Sequence, residues 1–224
     1  LGDVLVYREQ YNKALICFSQ VQTQLKNHEL AQEARFKVAQ TSYFKGDFEW
    51  AKAQLKVLKG STTQLIANDA VDLFLKITDN EPVDSIPTGL KDFAKAERLT
   101  YQNKINLALN VLDELFTKKT VFRNGLAPGD VLFDDALYLK AKLLTKKGQY
   151  LEAIACLEKI VAADLQGVLV DDVFYTMANI YREHILDTEK AKEYYQKIIF
   201  DYPSSIYLVE ARKQFRKLRG DLIN

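Results

Sequence analysis

The chain is short of the residues that most enzymes and metal proteins lean on. It has 2 histidines and 2 cysteines in 224 residues, with no CxxC pair and no metal-ligand spacing, so no metal site is expected. It has no GxSxG elbow, no GxxxxGK phosphate loop and no HExxH, which leaves no candidate catalytic residue and no cofactor. Charge of one sign is also missing: 31 Lys plus Arg against 30 Asp plus Glu give no global field toward nucleic acid or anionic membrane. No run nears the roughly 18 apolar residues of a membrane helix. No basic start followed by an apolar core marks a secretory leader. Leu1 stands where an initiator methionine would, so more chain is expected upstream, and any signal or lipid anchor would lie there.

Proline is scarce as well. Pro82, Pro87, Pro128 and Pro203 avoid helix interiors, where each would cost about 3 kcal/mol. What remains is helical periodicity almost throughout. Ala136, Leu137, Leu139, Ala141, Leu143 and Leu144, for example, form one broad apolar face. The spacing predicts helices over 1–8, 11–26, 29–45, 48–59, 65–79, 90–102, 105–118, 131–147, 150–163, 170–184, 188–201 and 205–219. Asn68-Asp69-Ala70, Asp134-Asp135-Ala136 and Asp171-Asp172-Val173 read as helix starts, acidic groups meeting unpaired amides at the positive end of the dipole. Most connections are two to five residues long, so neighbours run antiparallel. Longer linkers are expected at 81–89 and 121–130.

The stretch KKGQYLEAI at 146–154 returns as KGDFEWAKA at 45–53, each copy between two helical patterns. Aligning the helices that follow gives Ala14-x3-Phe18, Ala51-x3-Leu55, Ala108-x3-Leu112, Ala153-x3-Leu157 and Ala191-x3-Tyr195, with Val21, Leu58, Leu115, Ile160 and Ile198 three residues further on. A small residue lets two helices approach, and the large one a turn later fills the space beside it. The preceding helices carry Gly2, Ala39, Ala96, Ala141 and Ala178 at a matching position.

This pattern resembles the tetratricopeptide repeat, about 34 residues with Leu-Gly, Tyr, Ala-x3-Phe and Pro positions, to which Leu1-Gly2, Tyr181, Ala191, Tyr195 and Pro203 correspond. The resemblance covers essentially the whole chain. It implies an all-α fold, an α-α superhelix: a single array over 1–224 with repeats at about 1–28, 32–65, 89–122, 134–167 and 171–204, an extra helix at 65–79 and a capping helix at 205–219. Leu1 then falls inside a first helix, so at least one further turn of helix is expected before it. The Ala markers lie 37, 57, 45 and 38 residues apart, so the array is irregular. In the last interval Glu183-His-Ile-Leu-Asp-Thr188 replaces the glycine turn with one extra residue. Loose spacing, acidic helix starts and the ending Asp201-Tyr-Pro-Ser-Ser205 look most like bacterial cell-envelope members, outer-membrane assembly lipoproteins and Tol-associated proteins. That implies a periplasmic or outer-membrane-associated place ahead of a cytoplasmic one.

The resemblance also implies a concave face lined by first helices. Its positions here are Phe36, Gln40, Tyr43 and Phe44, then Phe93, Glu97 and Tyr101, then Tyr138 and Lys142, then Tyr175, Asn179 and Arg182. Rigid aromatic faces with a few hydrogen-bonding groups suit a protein or peptide partner. Phe36, Phe93, Tyr138 and Tyr175 share one repeat position, where packing between helices competes with binding. A clamp for a carboxylate would need more than Lys142, Asn179 and Arg182. The basic end around Arg212, Lys213, Arg216, Lys217 and Arg219 has only Phe215 to stack on a base, so it reads as a solvated cap and no nucleic-acid partner is expected. A non-catalytic scaffold is expected, with a spacer in a larger assembly as the alternative.

Overall fold

The computed structural model describes residues 1–25, 28–60, 64–80, 89–117 and 125–221. Among them there is no strand. The helices are α1 (Gly2–Tyr7), α2 (Tyr11–Gln24), α3 (Glu29–Lys45), α4 (Phe48–Leu58), α5 (Gln64–Asp79), α6 (Leu90–Tyr101), α7 (Ile105–Thr117), α8 (Val131–Lys146), α9 (Tyr150–Ala163), α10 (Val170–Ile180), α11 (Thr188–Asp201) and α12 (Leu208–Arg219). The chain divides into two compact units, Leu1–Leu126 and Ala127–Asn224. The first holds the hairpins α1–α2, α3–α4 and α6–α7, with α5 packed chiefly on α4. The second holds α8–α9 and α10–α11, with α12 packed on α11. The fold is all-α, built of helical hairpins of tetratricopeptide type.

The small-then-large pairs are what close each hairpin. All five Ala markers, 14, 51, 108, 153 and 191, are fully buried, and so are Leu55, Leu112, Leu157 and Tyr195. In the first hairpin the large partner is Phe18, and any side chain at Gly2 would run into its ring. A larger residue there would have to push the Phe18 ring aside. Val21 departs from the expected pattern, since it stays exposed.

Five residues before every marker Ala, the backbone turns left-handed. The residues are Glu9 (φ 60°), Gly46 (86°), Asn103 (55°), Gly148 (77°) and Leu186 (63°). In the first four, the next N–H reaches back five residues to a carbonyl, as in Gln10 N to Leu5 O (2.8 Å), Asp47 N to Ser42 O (2.8 Å), Lys104 N to Leu99 O (2.8 Å) and Gln149 N to Leu144 O (3.0 Å), the usual C-terminal helix cap. The fifth reaches one residue further, Asp187 N to Tyr181 O (3.0 Å). There the helix widens into a π turn, Tyr181–Ile185, which absorbs the inserted residue. Leu186 has no glycine freedom and projects into solvent. A leucine in this conformation costs about 1–2 kcal/mol, partly offset by the entropy a glycine would lose. Leu186→Gly should therefore raise stability by about 0.5–1 kcal/mol, read as a higher urea midpoint. A lower midpoint would mean that the exposed leucine makes contacts the fold depends on.

Two expectations need correction. Asn68 and Asp69 do not start a helix, because α5 begins at Gln64 and carries them inside it, with Ala70 fully buried. The last helix starts at Leu208 rather than 205, since Ser205 to Tyr207 form the turn that leads into it. The linker at 81–89 lies outside the described residues apart from Gly89, and so does the start of that at 121–130. At the described end of the second linker, Asp130 accepts the Ala127 N–H at 2.9 Å and precedes α8.

Candidate functional site

In the first unit the expected face folds onto itself. Tyr43, Phe44 and Phe93 are buried, so these three pack inside the unit instead of lining an open groove. The Tyr43 hydroxyl donates to Glu97 Oε2 at 2.6 Å, and Lys76 Nζ, from the extra helix α5, meets Glu97 Oε1 at 2.9 Å. The Phe44 and Tyr101 rings lie 5.8 Å apart. The Tyr101 hydroxyl donates to Asp3 Oδ1 at 3.1 Å, which also pairs with Lys37 at 3.1 Å. Burial, then the Asp3 charge, push the Tyr101 hydroxyl up to about 12. Buried Gln102 donates to the Tyr7 carbonyl at 2.9 Å, tying α6 to α1. Phe36 and Gln40 stay half-buried on α3.

The second unit is different. Tyr138, Tyr175 and Asn179 line a cleft of about 320 Å³, together with Thr145, Thr176, Ile180, Glu183, His184 and Tyr207. The cleft is held by specific contacts. The Tyr138 and Thr176 hydroxyls are 3.1 Å apart. The Tyr175 ring stacks on Tyr207 at 4.2 Å and 11°, and the Tyr207 hydroxyl donates to Asp172 Oδ1 at 2.6 Å. Tyr195, the large member of its hairpin pair, donates from the core to Asn179 Oδ1 at 2.6 Å, which fixes that amide. Lys142 Nζ sits 4.1 Å from the centre of the Tyr138 ring, a cation over an aromatic face. Arg182 donates to its neighbour Glu183. His184 stacks on Tyr150 at 4.3 Å and 6°, while His28 caps α3 by accepting the Leu30 N–H.

Burial raises the Tyr138 hydroxyl, with the Thr176 bond working against it and Asp172 and Asp171 adding to it. Tyr207 is raised by burial and by Asp172. These hydroxyls therefore stay protonated donors at neutral pH. Among the described residues, no group of three or more His, Cys, Asp or Glu side chains is placed to hold a metal. The cleft presents aromatic faces, hydroxyls and an amide, groups capable of stacking and hydrogen bonding.

Sequence reasoning missed Tyr207, Thr176, Thr145, Glu183 and His184. Tyr207 had a signal, since fully buried Ala211 marks α12 as another close-packed helix, but its basic residues directed the reading to a solvated cap.

The first helices of this unit start on aspartates. Asp130 precedes α8, Asp134 lies in its first turn, and Asp171 and Asp172 open α10. Burial, then Asp135 and Asp164, hold the Asp134 carboxyl above its ordinary value of 3.8. A raised carboxyl favours the native state in its protonated form. Its stabilising contribution is full below the unfolded value and is lost as pH rises through the folded one. Asp134→Asn should thus raise the melting temperature at neutral pH and leave it little changed below that ordinary value, as thermal melts across pH will show.

Comparison with known proteins agrees with the helical-hairpin fold over two stretches of the chain. Two tetratricopeptide-repeat family models match, one over residues 134–166 and one over 172–205. Among curated proteins, none matches the chain. The matched stretches span the α8–α9 and α10–α11 hairpins, and tetratricopeptide repeats are in general scaffolds for protein partners. No described helix is long and apolar enough to cross a membrane. In sequence and in structure, both hairpins of the second unit are similar to the tetratricopeptide repeat, and the first unit repeats their hairpin geometry.

Proposed function

We propose that the chain is a non-catalytic scaffold that holds a segment of a partner protein against the first helices of its second unit. The observation that carries this reading is the tyrosine cleft. Tyr138, Tyr175 and Tyr207 are half-buried, so they keep accessible area while their positions are fixed by Thr176, by ring stacking and by Asp172. Rings fixed in advance lose little entropy on binding. Lys142 and Arg182 stand on the same helices and would meet acidic groups of the partner.

In the first unit, burial of Tyr43, Phe44 and Phe93 favours the spacer role for that half. The setting we propose is a bacterial envelope complex, periplasmic or outer-membrane-associated, on the resemblance of the repeat spacing and of Asp201-Tyr-Pro-Ser-Ser205; nucleic acid has no part in it. Site-specific photocrosslinking in cells tests the reading. A photoreactive residue at Asn179 should capture a defined protein, and one at Gln40 or Glu193 should not. Equal capture from all three positions would refute the placement.

A further inference from the structure

Away from the tyrosine cleft, the second unit leaves large apolar side chains open at one end. Val168 is 93% exposed, Ile206 85%, Val209 77% and Phe200 69%. Val168 and Ile206 face a cleft of about 460 Å³ formed by the α9–α10 turn and the α11–α12 turn, with Asp171 and Asp201 in its lining. The two turns are braced, since the Tyr202 hydroxyl donates to the Leu165 carbonyl at 2.8 Å. Two apolar groups this exposed that line one cleft, as Val168 and Ile206 do, mark a contact surface.

Charge decides what would cover it. No Lys or Arg occurs between Lys159 and Arg182, nor between Lys197 and Arg212, while these two stretches carry Asp164, Asp171, Asp172, Asp201 and Glu210. Antiparallel packing gathers both turns at the end where α8 begins, and there the Asp164 charge reaches the Asp134 carboxyl. The cations of the first helices, Lys142 and Arg182, lie toward their other ends. An anionic lipid surface or a nucleic acid would be repelled here. A single metal ion has no cage among the described residues.

We propose that this end docks a segment of a partner protein in which lysine or arginine flanks an apolar side chain. The apolar group enters between Val168 and Ile206, and the cations meet Asp171 and Asp201. The surface shares no lining residue with the tyrosine cleft.

Fluorescence anisotropy on the full chain tests this with a labelled peptide carrying lysines on either side of a central leucine. Binding is expected, weakening as salt is added, and falling at least about tenfold in Asp171→Asn with Asp201→Asn. Val168→Ser with Ile206→Ser should bring a similar loss, whereas Leu151→Ala, an exposed position at the far end of α9, should leave binding unchanged. All four residues of the first two pairs reach solvent, and circular dichroism checks that each variant keeps its helicity. The proposal is overturned if neither pair affects binding, or if a peptide with serine for leucine binds equally well. It is also overturned if the end instead drives self-association that the Asp171 and Asp201 changes abolish while the peptide does not bind.

Discussion

Leu157→Ala is expected to destabilise the protein by about 2–5 kcal/mol, while Leu151→Ala on the same helix changes stability by less than about 0.5 kcal/mol. The two leucines differ in what surrounds them. Leu157 is fully buried one turn after Ala153, which is also fully buried, whereas Leu151 is 72% exposed. Removing the Leu157 side chain leaves a cavity in a hairpin whose other helix, α8, also buries Ala141 and Leu144. Ala153→Leu attacks the same contact from the opposite direction. With no space for the larger side chain, the helices must part, at a cost of about 1–3 kcal/mol. Urea unfolding followed by circular dichroism measures all three variants. Similar small losses for Leu157→Ala and Leu151→Ala would show that the Ala-x3-Leu pair is not what closes the hairpin.

Changing Tyr138 and Tyr175 together to Ala should weaken partner binding by at least about tenfold, because buried aromatic anchors supply about 2 kcal/mol or more each at binding surfaces. The fold should survive, since both rings are only half-buried. The loss of the Tyr175–Tyr207 stack accounts for about 0.5–1.5 kcal/mol of stability, well short of unfolding a unit of this size. Changing the same pair to Phe separates two contributions. It keeps the aromatic faces and removes the Tyr138 bond to Thr176, so binding close to that of the unaltered chain would assign the energy to stacking. A loss as large as with Ala would assign it to the hydroxyls. Calorimetric titration with the captured partner, alongside thermal melts of the same samples, gives both readings.

The helices were legible because their evidence is local. Apolar spacing and the avoidance of proline placed each described α-helix, with boundaries shifted by a few residues at most outside the π turn, whereas the acidic start read at Asn68-Asp69 lies inside α5. The Ala markers were legible for the same reason, since a small residue recurring at one helical position points directly to a close helix–helix approach. The turns were only half legible. Gly46, Gly148 and, more weakly, Asn103 announce a left-handed residue, but Glu9 and Leu186 adopt the same conformation without announcing it. In each, the following N–H bonds back to a carbonyl of the preceding helix, and the Ala five residues on is fully buried. The extra residue near Glu183 could be counted in the sequence, yet its absorption into a π turn at Tyr181–Ile185 depends on keeping both helices in register with their neighbours.

The site was least legible where it depends on long-range packing. Tyr43 and Tyr138 both read as aromatic positions on first helices. Tyr43 is buried because α6 brings Glu97 to its hydroxyl and α5 adds Lys76, and the irregular insertion that places α5 and α6 there has no counterpart in the repeat pattern. Tyr138 meets Thr176 across its hydroxyl, and its cleft stays open. Tyr207 entered the site from a helix whose charges drew attention away from its first turn.

Hydroxyl-radical footprinting of the chain with and without its captured partner tests the scaffold reading most directly, because it reports on tyrosine side chains one by one. Binding in the cleft predicts slower oxidation of Tyr138, Tyr175 and Tyr207 in the complex, with Tyr194 and the exposed Trp50 oxidised at unchanged rates. Protection of Tyr194 or Trp50, with Tyr138, Tyr175 and Tyr207 oxidised as fast as in the free chain, would contradict it.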